Sequence, residues 1–448
     1  MEYYERTILS KVCEFMDSNS PRVAVLYGMP CVGKSVLLRR ISALRGSGYI
    51  LMDVATDREL RETLLSAVSE PGMDAVVRAL MTFFGISEES FQNTMFLFDS
   101  AECLGERINA LLQKDLPNHC LIATNRVDYI AAEMMSETTV QSVIRFFSVK
   151  PLSFSEFLNA TGKGDYVSVI RAGVLENKPI PPMLRDDISE QYYEYLLVGG
   201  FPQAVFQYAA EHADISALRS THRSIFHTII QTYLGYELQN KDCISSIRIV
   251  QIIDYLKNHA EQFPPVFRPG SIRRGLTRNQ YREELDLLVR NGLLVPIVHS
   301  AVSENAGDEI ADASIVCDNA SFEFILADNG LQRYLSNDYD VFFQIEDERL
   351  PLYVLYYGLY VACDINGIVP EYVSIRSKCI IPMLWRQNNC MFTFDARNSA
   401  CNSKVFDYFI RKCNCKRMLI TDDTSRNKET DHKIMWFELD EVLNCKKR

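Results

Sequence analysis

Along residues 1–150, short unbroken apolar runs alternate with stretches whose apolar positions recur every three or four residues. The runs "RVAVLYG" (22–28), "GYILMDV" (48–54), "TMFLFDS" (94–100) and "HCLIATN" (119–125) predict buried strands. Between them, "VLLRRISALR", "DRELRETLLSAV" and "CLGERINALLQKDL" have helical spacing. This alternation predicts an α/β fold: a parallel sheet with helices on both faces, its ligands at the carboxyl ends of the strands.

The pattern then changes. Residues 151–240 read as mainly helical, through "ISEQYYEYLLV" and "STHRSIFHTIIQTYLGYEL", and predict a helical lid. Residues 241–340 read as three helices ("IRIVQIIDYLKNHAEQ", "GSIRRGL", "TRNQYREELDLLVRNG") and a strand ("LLVPIVHS"), the layout of a winged helix. Thr277 with Gln280 forms a capping box, Asn291 with Gly292 a helix stop, and the acidic "SENAGDEIADAS" a wing or exposed loop. Residues 341–448 read as a small α/β domain: the aromatic run "LPLYVLYYGLYVA", strands "KCIIPMLW" and "CMFTFDAR", helix "SKVFDYFIRKC", and strands "RMLIT" and "IMWFEL".

Composition narrows the class of molecule. A chain of 448 residues exceeds one ordinary core, in keeping with several domains. No apolar run approaches the ~20 residues that span a bilayer, and "MEYYERTILSKVCEF" lacks the order of a signal peptide, so a cytoplasmic protein without a membrane partner is expected. The 13 cysteines are scattered, which predicts reduced thiols, and Cys413 with Cys415 has neither the spacing nor the companions of a zinc site. A net charge of −11 disfavours general adhesion to nucleic acid but leaves room for a local basic face.

The chemistry concentrates in "GMPCVGKS", between the first strand and the first long helix. Gly28 and Gly33 bracket four residues and are followed by Lys34 and Ser35, the spacing whose backbone N–H groups cradle a polyphosphate. Lys34 brings a point charge to the phosphates, Ser35 offers its hydroxyl to Mg²⁺, and the helix N-terminus faces the anion. The nucleotide-binding set is Gly28, Pro30, Cys31, Val32, Gly33, Lys34, Ser35 and Val36. Asp99, at the end of "MFLF", is common as a strand-end aspartate but paired with this loop would complete Mg²⁺ coordination, and Asn125 after "CLIAT" is placed either to hold a water or phosphate oxygen or simply to make a turn. Cys31, if accessible, is expected to be protected from alkylation by bound nucleotide and to gain reactivity from Lys34; the alternative is a thiol that points into the core.

At this point the chain resembles the prokaryotic AAA-class ATPases that join a P-loop domain to a winged helix and a C-terminal nuclease-like domain. The resemblance rests on "GMPCVGKS", "KPLSFSEFL" (150–158), "YLLVGGFPQAV" (195–205) and "LADNGLQRYL" (326–335), in the family's order. It implies ATP and Mg²⁺ as cofactors and adds Gly200 and Pro202, with Gly199, as lid residues near the adenine. It also makes Asp99 the Walker B aspartate.

The departures are informative. Where the family has glutamate after that aspartate, this chain has Ser100, which cannot act as a base, so Glu102 becomes the candidate catalytic residue together with Asn125. Arg126 and Arg145 are candidates to sense the γ-phosphate, with a solvated arginine as the alternative for each. Arg273, Arg274, Arg278 and Arg282 would meet DNA through the winged helix; the competing partner is a protein or another copy of the chain. The nuclease-like domain carries Asp395-Ala396-Arg397 with Pro382 in the other acidic position, too few carboxylates for Mg²⁺, so no nuclease activity is expected. These features predict a slow ATPase switch that couples nucleotide state to domain position, or alternatively a nucleotide-binding scaffold that does not hydrolyse.

Overall fold

The computed structural model describes residues 4–17, 22–45, 48–114, 116, 119–136, 143–176, 180–210, 214–239, 243–259, 266–302, 315–317, 323–339, 352–375, 379–381, 383–387, 390–396, 415–421 and 432–445. The chain divides into two compact units: residues 1–150, 224–240 and 286–293 form the first, and 151–223, 241–285 and 294–448 the second. The expected lid (151–240) and winged helix (241–340) are therefore each divided between the units. Among the described residues, no helix is long and apolar enough to cross a membrane.

In the first unit the order is α1 (Thr7–Met16), β1 (Arg22–Tyr27), α2 (Lys34–Arg45), β2 (Tyr49–Asp53), α3 (Arg58–Ser69), α4 (Ala75–Phe84), α5 (Glu88–Gln92), β3 (Met95–Asp99), α6 (Ile108–Leu112), β4 (His119–Thr124), α7 (Ala132–Ser136) and β5 (Ile144–Ser148). The strands form one sheet, β2-β3-β4-β1-β5, parallel throughout. All five residues of β3 are buried, as a central strand covered on both faces requires. Phe96, Phe98, Ile122 and Val25 pack with Leu64 and Leu80 in the core on one side of the sheet. This is the α/β sheet that a P-loop core requires, and it brings the ends of β1, β3 and β4 to the same edge.

Two expectations for this unit need correction. A fifth strand joins the four expected ones at "IRFFS", where exposed Arg145 interrupts the apolar run. The helix expected over "CLGERINALLQKDL" is broken: a 3₁₀ stretch, Ala101–Arg107, precedes α6, because Gly105 takes a non-helical conformation open to glycine.

The second unit opens with α8 (Phe154–Ala160), α9 (Gly164–Glu176), α10 (Pro182–Val198), α11 (Pro202–Ala210) and the start of α12 (Ile215–Gln239), whose later residues belong to the first unit. It continues with α13 (Cys243–Asn258), α14 (Pro269–Ile272) and the first residues of α15 (Arg282–Arg290). "LLVPIVHS" is two strands rather than one: β6 (Leu294–Pro296) and β7 (Val298–Val302) join different sheets. Then come β8 (Ile315–Cys317), β9 (Phe324–Leu326), α16 (Asn329–Ser336), α17 (Leu352–Ile365), β10 (Glu371–Ile375), β11 (Cys379–Ile381), β12 (Met383–Gln387), β13 (Cys390–Ala396), β14 (Cys415–Thr421), β15 (His432–Met435) and α18 (Leu439–Cys445).

β6 pairs with β9, while β11-β10-β7-β8 and β12-β13-β14-β15 form four-stranded sheets. "IMWFEL" yields only the end of β15 before the chain turns through a 3₁₀ stretch into α18. The expected helix "SKVFDYFIRKC", Cys413, Pro382, Arg397 and the acidic wing, residues 303–314, lie outside the described residues. Asp440 of α18 accepts hydrogen bonds from Phe154 N (2.8 Å) and Asn366 Nδ2 (3.2 Å), placing a carboxylate at the N-terminus of α8.

Candidate phosphate-binding site

The loop between β1 and α2 has the strained backbone that its residue types imply. Gly28 has φ 149° and Gly33 φ 94°, and Cys31, not a glycine, sits in the left-handed region at φ 67°. At Gly28 a Cβ atom would lie 2.2 Å from the carbonyl oxygen of Val149, so only glycine lets the loop pass the end of β5. Val149 N donates to Tyr27 O at 2.7 Å and fixes that approach. Pro30, Val32 and Lys34 are buried, whereas Cys31, Gly33, Ser35 and Val36 are half-buried.

Lys34 opens α2, and its Nζ donates to Gly28 O (2.8 Å) and Met29 O (2.6 Å). Burial lowers its pKa to about 8, with Glu102, Cys31 and Asp99 pulling in the opposite direction. The ammonium is thus held by loop carbonyls and lies within electrostatic reach of both predicted carboxylates.

The structure brings the remaining first-unit candidates together. Ser35 Oγ donates to Asp99 Oδ1 at 2.9 Å, joining the start of α2 to the end of β3. Ser100, at φ 58°, donates its own N–H to the same oxygen at 3.0 Å. Glu102 receives two hydrogen bonds from Asn125: Oε2 from the backbone N at 3.0 Å and Oε1 from Nδ2 at 2.6 Å. Among the described residues no group of three or more His, Cys, Asp and Glu side chains is placed to hold a metal. Ser35 and Asp99 nonetheless fit Mg²⁺, as adjacent hard oxygen donors whose ion would draw its other ligands from phosphate and water.

Other assignments change. Arg126 is 2% exposed and committed to Asp128, with Nε to Oδ1 at 2.8 Å and Nη2 to Oδ2 at 2.7 Å, and it stacks on Tyr129. It therefore holds its own loop. Arg145 is exposed beside the rings of Phe15 and Phe147. The Cys31 thiol is pushed up rather than down, because burial outweighs Lys34 and the hydrogen bond to Thr228; the reactive thiol expected from sequence is not supported.

Gly200 and Pro202 lie in the second unit, where three motif segments meet. Leu152 N donates to Gly200 O (2.7 Å), Gly200 N to Asp328 Oδ2 (2.7 Å), and Leu331 N to Asp328 Oδ1 (2.9 Å). A Cβ on Gly200 would stand 2.3 Å from Leu152 O, and one on Gly199 2.5 Å from Asp328 Oδ1. Burial raises the Asp328 carboxyl to about 6 against these backbone donors. Both backbone polar groups of Gly200 are thus engaged within this knot.

Sequence reasoning missed the residues that support the site from afar. Asn291, read only as a helix stop, accepts Val127 N at 2.9 Å, and Arg290 Nη2 donates to Ile130 O at 2.8 Å, bracing the loop that follows Asn125. Thr228 on α12 reaches Cys31. Arg6, which precedes α1, donates to Val32 O. The signal was faint: a buried asparagine before glycine and an arginine at a helix start look ordinary in sequence.

No family model matches the chain, and no curated protein matches it at the significance required. Among solved structures, it is similar to a Walker-type ATPase of Pyrococcus abyssi at 16% identity and TM-score 0.42, over 74% of this chain and 96% of that one. It is also similar to PCH-2 of C. elegans at 17% identity and TM-score 0.23, over 37% of this chain and 47% of that one. Likenesses this loose do not bear on function.

Proposed function

We propose that the chain binds ATP with Mg²⁺ at the Gly28–Ser35 loop and hydrolyses it slowly, as a switch that couples nucleotide state to domain position. The observation that carries this reading is the convergence at one sheet edge of Lys34, the Ser35–Asp99 pair and the Glu102–Asn125 pair. The loop N–H groups, Lys34 and the start of α2 would hold the phosphates. Bound at Ser35 and Asp99, Mg²⁺ would neutralise charge on the phosphate oxygens.

Glu102 takes the place of the missing base. It would accept the proton of a water that attacks the γ-phosphorus while the bond to ADP breaks. Asn125 orients that carboxylate with one hydrogen bond to each oxygen, and each oxygen keeps a lone pair for the attacking water. A carboxylate oriented in this way supports turnover over the scaffold reading.

Residues 241–340 are proposed as the winged helix, supported by the order α13, α14, α15 and by the bridge from Val266 to Glu323 beside the β6–β9 pair. Exposed Arg273, Arg274 and Arg282 support a DNA-facing role, while Glu283 and Asp286 on the same helix support a protein partner or second copy.

Calorimetric titration of the full chain with Mg-ATP tests the nucleotide reading. Binding that is lost in Lys34→Ala and weakened in Asp99→Ala is expected; no binding by wild type, or unchanged binding in Lys34→Ala, would contradict it.

A further inference from the structure

Arg6 stands where local structure offers no reason for it. It immediately precedes α1, at the positive end of the helix dipole, where a cation is disfavoured. It is nevertheless 8% exposed, far more buried than an arginine usually is. Its guanidinium forks: Nη1 donates to Val32 O at 3.0 Å and Nη2 to Lys150 O at 2.5 Å.

Both acceptors lie at the phosphate loop. Val32 is inside it and fully buried. Lys150 directly follows Val149, whose carbonyl faces Gly28 at the distance only glycine tolerates. One planar group thus ties the middle of the loop to the chain beyond β5, a task suited to the rigid fork of arginine.

The peptide bond gives this tie its meaning. Val32 O and Gly33 N belong to one planar trans unit, in which C=O and N–H point in opposite directions. Holding the oxygen outward holds the Gly33 N–H inward, toward the place of the bound phosphates. The cation beside the oxygen also polarises the peptide and strengthens that donor. On the far side of the same unit, Gly33 at φ 94° completes a geometry few residues adopt.

We infer that Arg6 is a positioning residue for the phosphate loop, fixing the Val32–Gly33 peptide so that its N–H is preorganised for a polyphosphate. The inference rests on the nucleotide reading of this loop. A purely structural role, pinning α1 to the core, would lower stability but leave affinity alone.

The test is the affinity of the full chain for Mg-ATP, by calorimetry at 10 °C, for wild type, Arg6→Ala and Arg6→Lys, with each protein's melting temperature measured without nucleotide. Hydrogen bonds to charged groups contribute enough that Arg6→Ala should bind about 10-fold or more weakly. Arg6→Lys, with one ammonium in place of a fork, should recover only part of the loss. Low-millimolar guanidinium ion should tighten binding by Arg6→Ala and not by wild type.

Melting temperatures that fall while both variants bind like wild type would overturn the inference. Should Arg6→Ala fail to fold, Arg6→Lys decides: several-fold weaker binding at an unchanged near-ultraviolet spectrum supports the inference, and wild-type affinity refutes it. A wild-type chain that binds no Mg-ATP would remove the nucleotide reading itself, an outcome distinct from equal binding by all three proteins.

Discussion

The loop at Gly28 and the knot at Gly199 and Gly200 use glycine in the same way and to different ends. At Gly28 and at Gly200, backbone approaches backbone so closely that a Cβ would lie within 2.5 Å of a carbonyl oxygen. In the knot, Gly200 N and O are both paired and Asp328 caps α16, so its polar groups satisfy one another. In the loop, a charged lysine is held only by carbonyls, and a serine and an aspartate bond each other at an edge where ligands bind. A glycine motif alone does not distinguish packing from chemistry; the partners of its polar neighbours do.

The largest expected effects come from filling those approaches. Gly200→Ala must displace the backbone of Leu152, an overpacking that costs about 3 kcal/mol or more, visible as a lower midpoint in urea. Gly28→Ala meets an equally unyielding carbonyl but should abolish Mg-ATP binding as well. If Gly200→Ala lost nucleotide affinity with no loss of stability, the two regions would not differ as argued.

Next in size is the ligand effect. At 100 times its dissociation constant, Mg-ATP stabilises wild type by about 2.7 kcal/mol, and Lys34→Ala should lose most of the resulting shift in melting temperature.

The pH dependence separates the regions further. Lys34 titrates at about 8 when free, and a bound polyphosphate raises that value, so binding takes up a proton and affinity should fall as pH rises above about 8. For Asp328 the folded value of about 6 exceeds its ordinary one, so the native state holds the proton more tightly. Its contribution to stability is full below its ordinary range and is lost as pH rises through about 6. The stability advantage of wild type over Asp328→Asn should therefore shrink over that interval, measured by urea unfolding. A flat difference would remove Asp328 as a titrating centre.

The smallest effect concerns Cys31. Its thiol should alkylate more slowly than a free cysteine, and bound ATP should slow it further; rapid labelling would contradict the raised pKa.

Sequence made the first four strands and the loop chemistry legible because unbroken apolar runs and glycine spacing are local signals. It failed where one residue redirected the chain. β6 ends at Pro296 and β7 begins at Val298 in another sheet, and Gly105 breaks the helix before α6. Asp99, Glu102 and Asn125 were legible as candidates, but their convergence depends on strand order, with β3 and β4 adjacent and β1 beside β4. Arg6 and Asn291 act through tertiary hydrogen bonds that leave no periodic trace.

The central claim is that Glu102 supplies the base Ser100 cannot. Single-turnover release of phosphate from Mg-ATP by wild type, Glu102→Gln and Ser100→Glu tests it most directly. A slow wild-type rate that falls by about 10²-fold or more in Glu102→Gln, with ATP affinity retained, is the predicted result. An unchanged rate in Glu102→Gln, with Ser100→Glu alone raising turnover, would contradict it.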